Sequence, residues 1–275
     1  MSAWLPLPTE RLVCRNFHDE FLLLRRQHAT SSDIQITQRV ASLPALGQRI
    51  YDLQLAFVDE VIATEVEICL RLNPRFTYVG YAVALGMVCD ALKRPLASDA
   101  HRDWRLPVYF MSDDHNSSSS DRAIADAATS QTPYRSAVQS DWGLVERASG
   151  LARAEVIERL LQVELRLAMF GFLPGFAYLS GLPEALHIPR KHTPAIVAPA
   201  NSLALGGKYL GIYSLPSPAG WNVIGSLGVR LLQSDKLPPI AMRPNDRVRL
   251  VRIDAQQLQT MRSSDLDLTA YNSDA

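Results

Sequence analysis

His187, Arg190 and His192 stand out between Pro183 and Pro194, in a stretch whose prolines restrict the backbone. A guanidinium framed in this way can hold a carboxylate or phosphate through two parallel hydrogen bonds. Flanking imidazoles can hold an anion or move a proton. The alternatives are a salt bridge that uses Arg190 to pin the loop, and solvent-exposed rings for the two histidines. Lys208 stands in Gly206-Gly-Lys-Tyr-Leu-Gly211, which superficially resembles a phosphate loop. Tyr209 stands where Ser or Thr would coordinate magnesium, so the GxxxxGK[ST] pattern of a phosphate loop is not met. Tyr213, Ser217 and Trp221 offer two hydroxyls and an apolar wall for a pocket, with core packing the alternative for Trp221. No GxSxG elbow singles out one serine as a nucleophile. Asp113, Asp114 and His115 are metal-ligand types, but their Ser-rich surroundings point to a solvated loop, and no metal site is expected.

The element that must position Arg190 is the run just before it, Gly171-Phe-Leu-Pro-Gly-Phe-Ala-Tyr-Leu-Ser-Gly-Leu-Pro183. So much Gly and Pro among aromatics argues against a regular helix or a central strand. The expectation is an ordered loop in which Gly171, Gly175 and Gly181 allow positive φ or close approach to a ligand, while Phe172, Phe176 and Tyr178 supply packing.

From Gly171 to Gly225 the chain resembles the family of the 5-oxoprolinase B subunits, also called allophanate hydrolase subunit 1 or the KipI-type kinase inhibitor. The resemblance rests on GFLPGFAYLSGLP, on Pro189-Arg190, on the Pro-rich strand entry at Pro194 to Ser202, on Gly211-Ile-Tyr213 and on Ser217-Pro-Ala-Gly-Trp221. Pro238-Pro239 and the late turn Arg243-Pro-Asn-Asp-Arg-Val248 extend it. It implies a C-terminal cyclophilin-like β-barrel and a chain that works only with A-type and C-type partner subunits. The implied reaction is ATP-dependent hydrolysis of 5-oxo-L-proline to L-glutamate, with ATP shared with the partners. On this resemblance Arg190 and His187 are the catalytic candidates, and Lys208, Tyr213, Ser217, Trp221, Gly175 and Gly207 the substrate-binding ones. Two other roles stay open: an allophanate hydrolase or urea amidolyase type of carboxyltransferase subunit, and a regulator that inhibits a sensor histidine kinase.

The chain departs from the family pattern at several places. Tyr209 and Leu210 replace a polar pair, Ser214 a proline, and Ser226 an Arg or Gln. Leu160 and Leu165 stand where a His and a Tyr are usual, and Glu65 falls in a segment that usually carries Arg. These changes put the polar site, rather than the scaffold, in question.

With 28 basic and 28 acidic side chains among 275 residues, the net charge is zero, which argues against a general nucleic-acid or acidic-membrane partner. No apolar stretch reaches the roughly 18–20 residues needed to cross a bilayer. Met1-Ser-Ala-Trp-Leu-Pro lacks a basic region ahead of its apolar residues, so no signal peptide and a cytoplasmic location are expected. Cys14, Cys69 and Cys89 are far apart and are expected to be reduced, mostly buried thiols.

The pattern along the chain predicts an α+β protein. An α/β domain over 1–102 is followed by a β-barrel domain over 103–254 and a polar, frayed tail over 255–275. Phe21–Leu24 is of strand length, Leu53–Val61 and Glu65–Leu72 alternate, and Tyr81–Leu92 reads as a helix. In the second domain Leu106–Phe110 opens as a strand and Ser112–Ser140 reads as a surface insertion. A helix is expected over Trp142–Leu167, with Ser149 able to cap and pairs at Glu155/Arg159 and Glu158/Gln162. Six short strands follow, at 195–198, 202–205, 211–213, 221–225, 229–232 and 247–253, and their close spacing argues for a barrel.

Overall fold

The computed structural model describes residues 5–6, 12–17, 20–26, 43–76, 86, 88–90, 102–111, 140–264 and 271–272. The chain divides into two compact units, Met1–Ala100 and His101–Ala275. Among the described residues no helix is long and apolar enough to cross a membrane.

The first unit is a five-stranded antiparallel sheet with a helix on one face. Its strands are β1 (Leu5–Pro6), β2 (Leu12–Phe17), β3 (Phe21–Arg26), β4 (Val58–Ala63) and β5 (Glu67–Leu72), in the order β1-β2-β3-β5-β4. Helix α1 (Leu43–Asp52) starts at a Leu-Pro pair, where the fixed φ of Pro44 suits a first turn. Alternation decides what each strand buries: Leu22, Leu24, Ile68 and Leu70 meet Leu46 and Ile50 of α1 in one core. The opposite parity carries charge, with Arg25 on Glu67 at 2.9 Å and Arg71 on Glu60 at 3.3 Å. The segment before Val58 is turn rather than strand, so β4 starts later than the pattern at Leu53 suggested. Glu65 lies in the β4–β5 turn. Cys14 and Cys89 are buried and Cys69 is half-buried. Of the helix expected over Tyr81–Leu92, Gly86 and Val88–Asp90 are helical and the rest lies outside the described residues.

The second unit is built on a closed seven-stranded barrel, which bears out the α+β reading with a C-terminal barrel. Its elements are β6 (Asp103–Phe110), α2 (Trp142–Ser149), α3 (Arg153–Gln162), β7 (Leu165–Phe170), β8 (Ala177–Ser180), β9 (Ala195–Ala198), β10 (Ser202–Gly206), β11 (Tyr209–Ile212), β12 (Ser217–Ala219), β13 (Asn222–Leu227), β14 (Arg247–Arg252) and α4 (Ala255–Ser263). Around the barrel the order is β10-β11-β8-β7-β14-β6-β13, with β13 returning to β10. Only the β14–β6 pairing is parallel. Leu106, Leu167, Leu179, Leu205, Ile212 and Leu250 point inward, and Val145, Val156 and Leu160 of the two helices extend the same core.

Several expectations need correction. The single helix over Trp142–Leu167 is two helices, broken where Gly150 takes a left-handed conformation (φ +70) as the C-cap of α2. Ser149 does not cap α3; its hydroxyl donates to the Val145 carbonyl at 2.8 Å. The Arg153 backbone N–H at the start of α3 is instead taken by Glu146 Oε1 at 2.9 Å. The predicted Arg159–Glu155 and Gln162–Glu158 pairs do form, at 2.7 and 3.3 Å. Leu165–Phe170 is strand β7, because Leu165 and Leu167 are needed inside the barrel. Residues 229–232 form no strand, and β9 lies outside the barrel, paired with β12.

The frayed-tail expectation fails over Ala255–Ser263. Asp254 and Gln257 form a reciprocal capping box, Leu258 is buried, and Arg262 donates to Ser226 Oγ at 2.7 Å. Tyr271 packs on the barrel core and Asn272 bridges Trp104. The insertion expected at Ser112–Ser140, with Asp113, Asp114 and His115, lies outside the described residues from 112 to 139.

The late turn holds the barrel seam. The buried Asp246 carboxylate accepts Arg102 Nη2, Trp104 Nε1 and the Arg243 backbone N–H, each at 2.8 Å. A carboxylate with this many donors is fully satisfied while out of water.

Candidate functional site

A second cluster, separate from the barrel interior, contains Phe176, Ala204, Tyr213, Ala219, Trp221 and Val223. Ala204 alternates with the inward Leu203 and Leu205, so this cluster sits on the outer face of β10, β11 and β13. The β9–β12 pair contributes Ala198 and Ala219 to it.

Trp221 is its centre, and the two glycines that looked like a phosphate loop are its bed. A Cβ on Gly206 would overlap Trp221 Cδ2, and one on Gly211 would lie 2.7 Å from Trp221 Cζ3. No side chain fits at either position while the indole stays where it is. Around it, Phe176 meets Trp221 edge-on at 5.5 Å, Tyr213 at 4.8 Å and Tyr178 at 4.8 Å. Such tilted pairs are the favoured aromatic geometry. The alternative reading of Trp221 as core packing therefore holds in part: it is buried, but in this outer cluster.

Arg190 lies over that indole, its guanidinium carbon 5.6 Å from the ring centre. Among the described residues it forms no ion pair, so the salt-bridge alternative finds no carboxylate there. Both of its neighbours are held. Asn222 Nδ2 donates to the Pro189 carbonyl at 2.9 Å and to Leu205 O at 3.1 Å. The Lys191 backbone N–H donates to Gly220 O at 2.8 Å. The residues on either side of Trp221 thus grip the residues on either side of Arg190.

Lys191 and Asp141 were not singled out by the sequence. Lys191 Nζ contacts Asp141 Oδ2 at 2.7 Å, with side chains only 8% and 15% exposed. The same oxygen accepts the Val223 backbone N–H at 2.8 Å. One signal was available, since Lys191 directly follows Arg190; Asp141 had none, being 50 residues away in sequence.

Electrostatics tie these groups to the tyrosines. Burial pushes the Tyr213 hydroxyl up to about 12; the Trp221 backbone N–H and the Arg190 guanidinium pull it down, while Tyr178 and Asp141 push it up. Tyr178 is also raised by burial and opposed by Arg190. Both phenols therefore stay neutral and able to donate.

The other candidates fall elsewhere. His187 is exposed, with Nε2 donating to the Leu182 carbonyl at 3.1 Å. Lys208 and Gly207 form the two-residue turn of the β10–β11 hairpin, with Lys208 Nζ 5.1 Å from the Tyr209 ring. This turn joins two strands and opens no helix, so it does not fit a nucleotide phosphate. The Ser217 hydroxyl turns back to the Pro218 carbonyl at 3.3 Å. Gly175 (φ +76) packs under Ser214, whose hydroxyl donates to Pro174 O.

The loop expected at Gly171–Pro183 is only partly a loop. Ala177–Ser180 is β8, a central barrel strand between β7 and β11; Gly175 (+76) and Gly181 (+104) take the expected positive φ, while at the head of the run it falls on Phe172 (+67) rather than Gly171. Leu160, Leu165 and Leu210, departures that seemed to strip a cleft of polar groups, are all buried in the core shared by the barrel and its helices. They therefore say nothing against the site.

The family described as "Carboxyltransferase domain, subdomain C and D" matches residues 13–242. The 5-oxoprolinase B subunit of Escherichia coli O157:H7 is 40% identical over 118 residues, 43% of this chain and 54% of that protein. The 5-oxoprolinase B subunit of Haemophilus influenzae is 40% identical over 98 residues, 34% of this chain and 46% of that protein. The chain thus spans about half the length of the curated relatives it matches. The Kluyveromyces lactis urea carboxylase structure has a TM-score of 0.62 over 96% of this chain and 24% of that chain, at 14% identity, a likeness of fold alone. With the match running from 13 to 242, the chain belongs to the carboxyltransferase-domain family, subdomains C and D.

Proposed function

We propose that the chain is the B-type component of a cytoplasmic, ATP-dependent 5-oxoprolinase that hydrolyses 5-oxo-L-proline to L-glutamate with A-type and C-type partner subunits. The observation that carries this reading is that the curated relatives matched are B subunits of 5-oxoprolinase by name. The geometry supports it through Arg190, an exposed guanidinium held in place over Trp221. The substrate is a small ring with one carboxylate. Arg190 receives that carboxylate, and the indole edge and the neutral Tyr178 hydroxyl border the place where the ring would lie.

Opening the lactam requires activation of a poor electrophile before water attacks, which is what ATP supplies in such a reaction. The Gly206–Tyr209 hairpin does not fit a nucleotide, so nucleotide binding is assigned to the partners. This chain's part is to bind and orient the carboxylate end. His187, tied to the Leu182 carbonyl, is assigned no proton transfer.

The test is reconstitution with A-type and C-type subunits. ATP-dependent glutamate release should require all three chains, and this chain alone should show none. Glutamate release by the single chain, or stable copurification with a sensor histidine kinase and no turnover by the three-chain mixture, would contradict the proposal.

A further inference from the structure

We propose that Asp141 is a specificity-determining residue, which restricts the Arg190 site to ligands with a single negative charge by neutralising Lys191. This rests on the reading of Arg190 as an anion anchor. Two cations stand side by side in the chain, Arg190 and Lys191. Unopposed, they would favour a phosphate or dicarboxylate, because a dianion gains twice as much from each added positive charge as a monoanion does. Asp141 removes that bias. Its Oδ2 takes Lys191 Nζ at 2.7 Å in a pair shielded from solvent. The oxygen is held there by the Val223 N–H at 2.8 Å, and the Asp141 N–H donates to Val223 O at 2.8 Å. Lys191 is also fixed through its backbone to Gly220, beside Trp221. The charge left at the site is that of Arg190, which lies over Trp221 with no carboxylate of its own among the described residues. Asp141 and Arg190 both act on the Tyr213 hydroxyl, which puts them within electrostatic reach of one place.

Asp141→Asn keeps an acceptor for the Val223 N–H and deletes the charge, so it tests charge rather than packing. The full chain is titrated with 5-oxo-L-proline and with inorganic phosphate, at a pH where phosphate is a dianion. Wild type should favour 5-oxo-L-proline, and Arg190→Ala should weaken its binding. Asp141→Asn should shift the affinity ratio toward phosphate by roughly fivefold, as expected for one added charge acting on a ligand at the solvent-exposed Arg190. Asp141→Asn with Lys191→Met should restore the wild-type ratio, since the net charge returns to that of Arg190. Lys191→Gln alone leaves an uncompensated carboxylate and should shift the ratio away from phosphate, a readout that stands if Asp141→Asn does not fold. An unchanged ratio in both single variants, or a loss of both ligands in equal proportion, overturns the inference while leaving the Arg190 site in place. Wild-type binding of 5-oxo-L-proline that Arg190→Ala leaves unchanged removes the site itself, and this inference with it.

Discussion

Arg190 and Trp221 face each other across two short segments that grip one another residue by residue, with the guanidinium carbon 5.6 Å from the ring centre. Pro189 is held by Asn222 and Lys191 by Gly220, so the cation sits where the indole puts it. The indole in turn lies on bare backbone at Gly206 and Gly211. The site depends on the barrel through this chain of contacts, and each link can be broken separately.

Gly211→Ala tests the lowest link. The new methyl would lie 2.7 Å from Trp221 Cζ3 and 2.8 Å from Phe176 Cζ, so the indole must move. A loss of about 1–3 kcal/mol in stability is expected, the range for overpacking. Urea unfolding gives the loss, and a red-shifted tryptophan emission reports an indole moved toward water. Wild-type stability with wild-type emission would show that the glycine is not required.

Alkaline pH tests the environment of Tyr213. Its hydroxyl titrates at about 12 in the fold against 10.0 for the ordinary group. The folded protein therefore holds a proton that the unfolded chain releases first, and stability present below pH 10 is lost as the pH rises toward about 12. Tyr213→Phe should flatten that decline, by up to about 2 kcal/mol at its alkaline end. Stability curves against pH for the two proteins decide this; parallel curves between those limits would contradict it.

The barrel was readable where alternation was clean. Leu203 and Leu205 against Ala204 mark β10, and Ile68 and Leu70 against Glu67 and Arg71 mark β5 in the same way. β8 was hidden by its neighbours. Gly and Pro crowd both sides of Ala177–Ser180, although Ala177 and Leu179 alternate inward as a barrel strand must. β7 was lost because Leu165 and Leu167 also continue the helical spacing of Ile157 and Leu160, and periodicity alone does not separate the two. At the site, Arg190 and Trp221 were legible by residue type. The Asp141–Lys191 pair was not, because its charges are brought together only by the way β13 runs beside both.

The C-terminal helix supplies another check, since its polar sequence read as a loose end. Asp254→Ala removes the cap that accepts the Gln257 N–H and should cost about 1 kcal/mol. A larger loss should follow Leu258→Ala, about 2–5 kcal/mol, because that side chain is fully buried. Thermal unfolding of both variants tests this. Melting temperatures equal to wild type would mean that α4 does not pack on the barrel.

Asp246→Ala should be the most damaging single change outside the core. It leaves the Trp104 indole N–H and the Arg102 guanidinium without their shared acceptor, at a cost of about 3–5 kcal/mol. Asp246→Asn should cost less, since one acceptor oxygen remains. Chemical denaturation of the pair gives the order, and equal effects would contradict the charge-assisted account of the seam.

The most direct measurement is calorimetric titration of 5-oxo-L-proline into the full chain and its Arg190→Ala and Arg190→Lys variants, with thermal unfolding of each recorded alongside. If Arg190 anchors the carboxylate, Arg190→Ala weakens binding by about 1–3 kcal/mol and leaves the melting temperature unchanged. Arg190→Lys then recovers only part of that loss, because an ammonium lacks the paired donors of a guanidinium. A lowered melting temperature with unchanged affinity in Arg190→Ala would contradict the account and make Arg190 a structural brace for Trp221.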